Sequence, residues 1–254
     1  MKRATAPWLA LLLAACAPVI AKDVSTVTLP RGARIGIVNL LAPEIAQFYG
    51  SSDIKDSFLK THTVDWPLDE MLNEAVKPRM SQMGLEPVAL APSEGLVRGR
   101  QDFFVDNSVS KGGLSKACSA QLSQMAAAEH LDAFVLLVPA ANDFQHGGST
   151  RRKELPEYLR GWGFVTNSKD PPGSKPSVFN ISQLLLVSAR GGAALLRDVE
   201  WGGEFNYNWP NFTPPADIHE VPPAEIDKLR PLFVDILTRE SGRLLDHVEV
   251  IGSP

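Results

Sequence analysis

Arg34-Ile35-Gly36-Ile37-Val38-Asn39-Leu40-Leu41 is the stretch on which the fold turns. It is nearly continuous in apolar residues, and turn formers bound it. A strand covered on both faces reads this way, because neither set of alternating side chains meets water. Asp132-Ala133-Phe134-Val135-Leu136-Leu137-Val138 repeats the pattern. Between the two, Leu68, Met71, Leu72, Ala75, Val76, Met80 and Met83 recur at spacings of three and four. That is an amphipathic helix, preceded by Asp65 and Pro67, ended by Gly84, and expected to kink at Pro78. Leu85 to Leu90 reads as a short strand. Pro87 has no N–H to give a ladder, so this strand belongs at a sheet edge. Leu114, Cys118, Leu122 and Met125 mark a second helix, running to about His130.

Downstream, Phe179 to Val187 and Ala193 to Trp201 flank Arg190-Gly191-Gly192, the strongest hairpin signal in the chain. A last helix runs from about Pro223 to Leu245, with Ile226, Leu229, Phe233, Ile236, Leu237 and Leu244 inward and Pro231 dividing it. Val248 to Ile251 reads as a final short strand. The other segments include a polar lead-in at 22–33, long loops at 42–66 and 140–176, a stretch rich in Gly, Ser and charge at 91–113 and an aromatic, proline-rich one at 202–223. The first loop has room for a decorating hairpin around Gly50-Ser51-Ser52-Asp53, the second for a strand at Gly161 to Thr166. The order β, α, β, α, a β-meander and a C-terminal helix predicts an α/β (α+β) fold. It would be a single domain over 22–254, with about three helices packed on a mixed sheet.

The first 21 residues belong to something else. Met1-Lys2-Arg3 is a cationic start and Trp8 to Ala15 a short apolar core, which together read as a bacterial export signal. Two cleavage readings stand. Leu13-Ala14-Ala15-Cys16 fits a lipobox, in which Cys16 is acylated and becomes the new first residue. Val19-Ile20-Ala21 fits an ordinary small-residue site. The lipobox is preferred, because all four of its residues fit and the apolar core ends at Ala15. Several acyl chains hold a protein durably where one does not. Ala17, rather than an aspartate, follows Cys16, which points to the outer membrane rather than retention at the inner one. In either case Cys118 is the one thiol left, so an intramolecular disulfide is not available.

The chain has 254 residues, 44% of them hydrophobic and 21% charged, with a net charge of −4. Removing Lys2 and Arg3 with the leader leaves 23 basic against 29 acidic residues, or −6. That balance excludes the electrostatic footprint of a nucleic-acid binder. Arg151-Arg152-Lys153 is the one compact basic cluster, and it reads as a solvated loop face.

Three of these segments resemble those of a group of bacterial envelope lipoproteins, to which the curli-secretion lipoprotein and the amino-terminal domain of TolB belong. Arg34 to Leu41 looks like its first strand, Glu129 to Leu136 like its helix-to-strand step, and Leu186 to Gly192 like its hairpin turn, without the usual aspartate. The resemblance implies a non-catalytic envelope protein that binds other envelope components.

Chemistry-bearing motifs are sparse. There is no Gly-x-Ser-x-Gly for a nucleophile elbow. Gln145-His146-Gly147-Gly148-Ser149 reads as a glycine turn. No glycine-rich phosphate loop follows the first strand, and no cofactor is expected. His62, His130, His146, His219 and His247 lack metal-ligand spacing. The pairs His62 with Asp65 and Asp217 with His219 supply two ligands each, which make no site alone. Cys118 sits on a helix's apolar face and reads as a small buried hydrophobe. The distinctive segment is Trp201 to Phe212, with Trp201, Phe205, Tyr207, Trp209 and Phe212 among Gly and Asn. Its rings either offer a contact surface for protein or glycan, or cover one end of the sheet as a local core. The expectation is therefore a periplasm-facing lipoprotein, anchored to the membrane through Cys16 and binding other envelope components. The alternative is a soluble periplasmic hydrolase or carbohydrate-active enzyme.

Overall fold

The computed structural model describes residues 26–51, 53–100, 114–139, 160–167, 175–190, 194–197, 205–209, 211–217 and 219–252. Side chains of Ile54, Asn167, Ala194, Leu196, Arg197 and residues 205–208 are outside the description. The leader with Cys16, and also Trp201, His146 and Arg151 to Lys153, fall outside the described residues.

Arg34–Asn39 is β2 and Ala133–Pro139 is β6, adjacent and parallel as two-sided burial demands. Glu86–Ala89, β5, pairs only with β2 among the described residues, so Pro87 lies on an edge strand. Leu68–Met83 is α1. Gly84 caps it at φ 80°, its N–H directed at the carbonyls of Met80 and Ser81. Such a left-handed cap suits glycine. Lys116–Glu129 is α3; Ser115 accepts the Cys118 N–H at its start. The last helical stretch divides as Pro231 predicts: α4 at Pro223–Ile226, a 3-10 turn at Asp227–Leu229, then α5 at Arg230–Leu245 with the proline in its first turn.

Ser177–Ser188, β8, is the long strand that unites the sheet. Its second half pairs with β6 and with β9, Ala194–Arg197, which establishes the expected hairpin. Its first half pairs with β7, Gly161–Asn167, and with β10, Phe205–Asn208. Glu44–Gly50, β3, lies parallel to β7, and Phe58–Thr63, β4, closes that side antiparallel to β3. The hairpin read as a decoration of loop 42–66 is thus part of the main sheet, ordered β4-β3-β7-β8-β6-β2-β5.

The register explains the shape. Pro139 lies opposite Ser182 and Gly161 opposite Ile181, so β6 and β7 are two halves of one line along β8. Gly161 thus takes up the line at the position of β8 next to the one where Pro139 ends it. Beside it, β2 and β3 form a second line. Asn39 pairs with Leu137 and Ile45 with Trp162. On β8 the matching partners are Leu184 and Asn180, 184 − 180 = 4 steps, while β2–β3 takes 45 − 39 = 6. Two surplus residues therefore bulge out between Asn39 and Ile45, at the junction of the half-sheets.

Both faces are covered. Ile35, Ile37, Val135 and Leu137 join α1 and α5 in one core; Val38, Phe134, Leu136 and Val138 join Leu96 and α3 in another. The lead-in at 22–33 contains a strand, Val27–Pro30 or β1, which runs parallel to β11, Val248–Ile251. Glu94–Gly99, α2, was not anticipated; Ser93 caps it by accepting the Leu96 N–H. Among the described residues no helix is long and apolar enough to cross a membrane.

Candidate functional site

Ligand sites in open α/β sheets lie outside the carboxyl ends of the parallel strands, and here that rim is where the bulge between β2 and β3 sits. Asn39, the last residue of β2, organises it. Its Oδ1 accepts the Leu41 N–H at 3.0 Å, and its Nδ2 donates to the Leu41 carbonyl at 3.4 Å and to Asp69 Oδ1 at 3.1 Å. The amide therefore satisfies the backbone of the bulge and ties it to the first turn of α1. Above it opens a cavity of about 290 Å³, lined by Leu41, Pro43, Asp69, Pro92, Val97 and Arg100 among others.

Two neighbouring hollows share residues with this cavity. Asp69 and Glu70 also line a groove of about 580 Å³ between α1 and the segment after β5, bordered by Asn73, Glu74, Lys77 and Leu90. Leu40, Leu41 and Arg100 also line a slot of about 90 Å³ bordered by Glu44, Pro139, Arg160 and Trp162. Burial holds the Arg160 guanidinium below its ordinary value; an arginine nevertheless stays charged at neutral pH. Under the slot, Trp162 Nε1 donates to Ser182 Oγ at 3.1 Å, Ser182 Oγ bonds Asn180 Oδ1, and Asn180 Nδ2 donates to Glu240 Oε1 at 3.0 Å. This string ties the slot's wall to α5.

The cleft and the start of the described chain lie at opposite poles. Asp69, beginning α1, is bonded to Asn39 at the end of β2, and Gly84, ending α1, accepts the Gly32 N–H just before β2. Helix α5 runs alongside α1: Ser241 Oγ donates to the Ala75 carbonyl and Arg79 pairs with Asp246 at 2.9 Å. The next residue, His247, accepts the N–H of Val27. So β1 starts where α1 and α5 finish, at the pole away from the cleft.

The aromatic segment contributes no open patch from its described rings. Trp209 is fully buried and Phe212 nearly so. This corrects their reading as contact residues. Trp209 meets Phe164 edge-on at 4.7 Å and Phe212 at the same distance, so the pair caps the core beneath β7. Phe205 and Tyr207 fall on β10, where only the backbone is described, and Trp201 lies outside the described residues.

The histidines are dispersed. His62 Nε2 lies 2.8 Å from Gln47 Oε1. His219 packs edge-on against Tyr49 at 4.7 Å, and its N–H is taken by Asp217, a local turn. His130 caps α3 at φ 52°. Among the described residues no three His, Cys, Asp or Glu side chains gather as a metal site would require. Cys118 is buried against the end of α2, with Sγ 4.0 Å from the Gly99 carbonyl. Sequence reasoning missed the cleft. Its signal was Asn39 interrupting an apolar run just before Pro43, with a helix start, Asp69-Glu70, downstream.

No family model matches this chain, and no curated protein matches it either. Among solved structures it is similar to a hypothetical protein of Chlamydia trachomatis, at 13% identity and a TM-score of 0.33 over 84% of this chain and 99% of that one. It is also similar to a lipoprotein of Neisseria meningitidis, at 11% identity and a TM-score of 0.26 over 81% of this chain and 99% of that one.

Proposed function

We propose that this chain is an exported bacterial lipoprotein, acylated at Cys16, that binds other envelope components in the cleft at the carboxyl ends of β5, β2 and β6. The observation that carries the reading is the opposition of the two poles. Ten residues, 17–26, would separate Cys16 from β1, a tether of at most about 35 Å. A body held by that tether presents the cleft away from the bilayer that anchors it. The cationic and apolar leader supports export, and the resemblance of Arg34–Leu41, Glu129–Leu136 and Leu186–Gly192 to the curli-secretion and TolB group supports an envelope-binding role.

Mass spectrometry of the mature amino terminus tests the anchor. Diacylglyceryl-modified Cys16 is expected, with radiolabelled palmitate incorporated in the parent and lost in Cys16→Ser. A mature chain beginning at Lys22 overturns the tether and favours the soluble periplasmic enzyme instead. A photo-crosslinking residue at Val97, which is exposed and lines the cleft, is expected to capture a partner in intact cells. One at Leu59, exposed on edge strand β4, is expected to stay silent.

A further inference from the structure

The pole away from the cleft carries a surface of its own. Strands β1 and β11 form a two-stranded ribbon laid across it. The ribbon begins beside the end of α5, where Val27 donates to His247. It finishes beside the end of α1, where Arg31 donates to Ile251 and Gly32 to Gly84. Its two faces differ because side chains alternate along a strand. Val27, Leu29, Val248 and Val250 join the large core, while Thr28, Pro30, Glu249 and Ile251 are exposed. Ile251 is 53% exposed, more than Leu59 or Val97, and it lies opposite Pro30 in the ladder. Arg31 follows at the same end and is exposed. Nearby, Arg34 pairs with Glu86 and Arg79 with Asp246; among the described residues no carboxylate pairs with Arg31.

Area and reach decide what covers this face. It measures about 13 Å by 10 Å, far below the roughly 800 Å² that each partner buries in a standard protein interface. A bilayer needs no such area, because an anchored body is already at its surface and a weak contact suffices once the encounter is intramolecular. The tether of residues 17–26, at most about 35 Å long, runs directly into the ribbon at Val27. An exposed apolar side chain beside a cation also suits the boundary between acyl chains and anionic headgroups.

We propose that the outer face of the ribbon docks on the anionic lipid surface in which the acyl chains of Cys16 are seated, with Ile251 and Pro30 at the headgroup boundary and Arg31 on lipid phosphates. The proposal rests on the tethered reading above and adds a second, non-covalent contact that fixes which way the body stands. Glu249 opposes that contact, since it shares the face and carries the sign of the lipid. Arg31 also spans the end of α1, its Nε 2.9 Å from where a Cβ on Gly84 would lie, and a cation there complements the helix dipole. That role alone concerns stability and would leave membrane contact unchanged, so the test reads membrane contact.

The test uses the full acylated chain in vesicles of phosphatidylethanolamine and phosphatidylglycerol, three to one. A nitrobenzoxadiazole dye is attached on the ribbon through Thr28→Cys, or at the opposite pole through Val97→Cys, both exposed positions. Cys118 is buried, and the parent chain carried through the same labelling gives its background. Lipids bearing a nitroxide near the headgroup quench a dye only at short range. Quenching of about twofold is expected at position 28, from the contact geometry of an interfacial face, and none at position 97. With the dye at position 28, Ile251→Ser and Arg31→Glu are each expected to remove at least half of the quenching, and Glu249→Lys to raise it. Replacing phosphatidylglycerol by phosphatidylcholine is expected to remove the effects of the two charge variants and to leave that of Ile251→Ser. Far-UV circular dichroism shows which variants are folded, and Glu249→Lys keeps the test open should Arg31→Glu not be. Equal quenching at the two positions, none at position 28, quenching unmoved in the folded variants, or charge effects that persist in phosphatidylcholine overturns the proposal. If mass spectrometry of the same sample finds acylated Cys16, the tethered reading survives that failure; a mature chain beginning at Lys22 removes both.

Discussion

The two halves of the sheet are built on different principles. In the parallel half, β5, β2 and β6, helices cover both faces, and every residue of β6 is buried. In the other half, β4, β3 and β7, one face shares the large core with Trp209 and Phe233, while the other holds the small cluster Phe48, Val165, Phe179 and Ile181. This second half also buries polar side chains: Gln47, Thr166, Asn180 and Ser182. The first half is held mainly by apolar area, with Asn39 bonded at its rim, and the second adds buried polar groups of which Gln47, Asn180 and Ser182 are paired. The cleft opens at the seam, where neither pattern continues.

The comparison breaks if the second half proves to be a loose appendage. Trp209→Ala is expected to cost about 3–5 kcal/mol, the same as Phe134→Ala in the first half, because both rings are fully buried and each leaves a cavity. Urea denaturation followed by far-UV circular dichroism reads both. A loss under about 1 kcal/mol for Trp209→Ala, with Phe134→Ala strongly destabilised, would show that the second half is not part of the cooperative unit.

A methyl group probes the same contrast at closer range. A Cβ at Gly163, on β7, would overlap the backbone carbonyl of Ala46 and the ring of Phe179. At Gly36, on β2, it would meet the side-chain ends of Phe134 at 2.7 Å and Leu131 at 2.9 Å. Backbone cannot give way as rotamers can. Gly163→Ala is expected to cost about 3 kcal/mol and Gly36→Ala about 1 kcal/mol, the two ends of the overpacking range. Equal costs in urea titrations would mean that β3 and β7 separate as readily as a side chain turns.

What the sequence disclosed follows the same division. Two-sided burial writes itself as an unbroken apolar run, so Arg34–Leu41 and Asp132–Val138 were legible, and Pro87 marked the edge by chemistry. Helices α1, α3 and α5 were legible from spacing. Strands β3 and β4 were legible as a hairpin but not as part of the main sheet, because Gln47 breaks the apolar pattern of β3 and its burial is made tolerable by a histidine on the next strand. Strand β1 was hidden because its partner, β11, lies at the far end of the chain, and no local pattern reports so distant a pairing. The cleft was hidden because it depends on register: only pairing along β8 reveals the two surplus residues after Asn39. The aromatic segment misled in part, since Trp209 and Phe212 sit among Gly, Asn and Pro and still point inward.

The polar string sharpens the comparison further. Glu240→Ala removes the acceptor of the buried Asn180 amide and is expected to cost about 1–3 kcal/mol, the desolvation of an unpaired group. Glu240→Gln keeps an acceptor oxygen and is expected to recover most of that loss. If both variants unfold at the same urea concentration, the string does not hold the second half together through that hydrogen bond.

The smallest expected effect is a dependence on pH carried by His62 alone. Its pKa is lowered from the ordinary 6.5 first by burial and then by Lys60, with Glu220 opposing. Stacked near Phe164 and bonded to Gln47, the ring is more easily protonated in the unfolded chain than in the folded one. Between the lowered value and 6.5 the unfolded chain therefore binds more protons, so stability rises with pH through that window. This contribution is complete above pH 6.5 and is lost as pH falls through the folded value. Urea midpoints of the parent protein at pH 7.5, 6.5 and 5.5 are expected to decline at the acidic end. His62→Gln, which keeps a hydrogen-bonding group beside Gln47 but cannot titrate, is expected to flatten that decline. Carboxylates that protonate at lower pH contribute alike to both proteins, so the difference between the two curves isolates the histidine. Superimposable curves would mean that the edge of the second half opens before the rest unfolds, leaving His62 to titrate as it does in water.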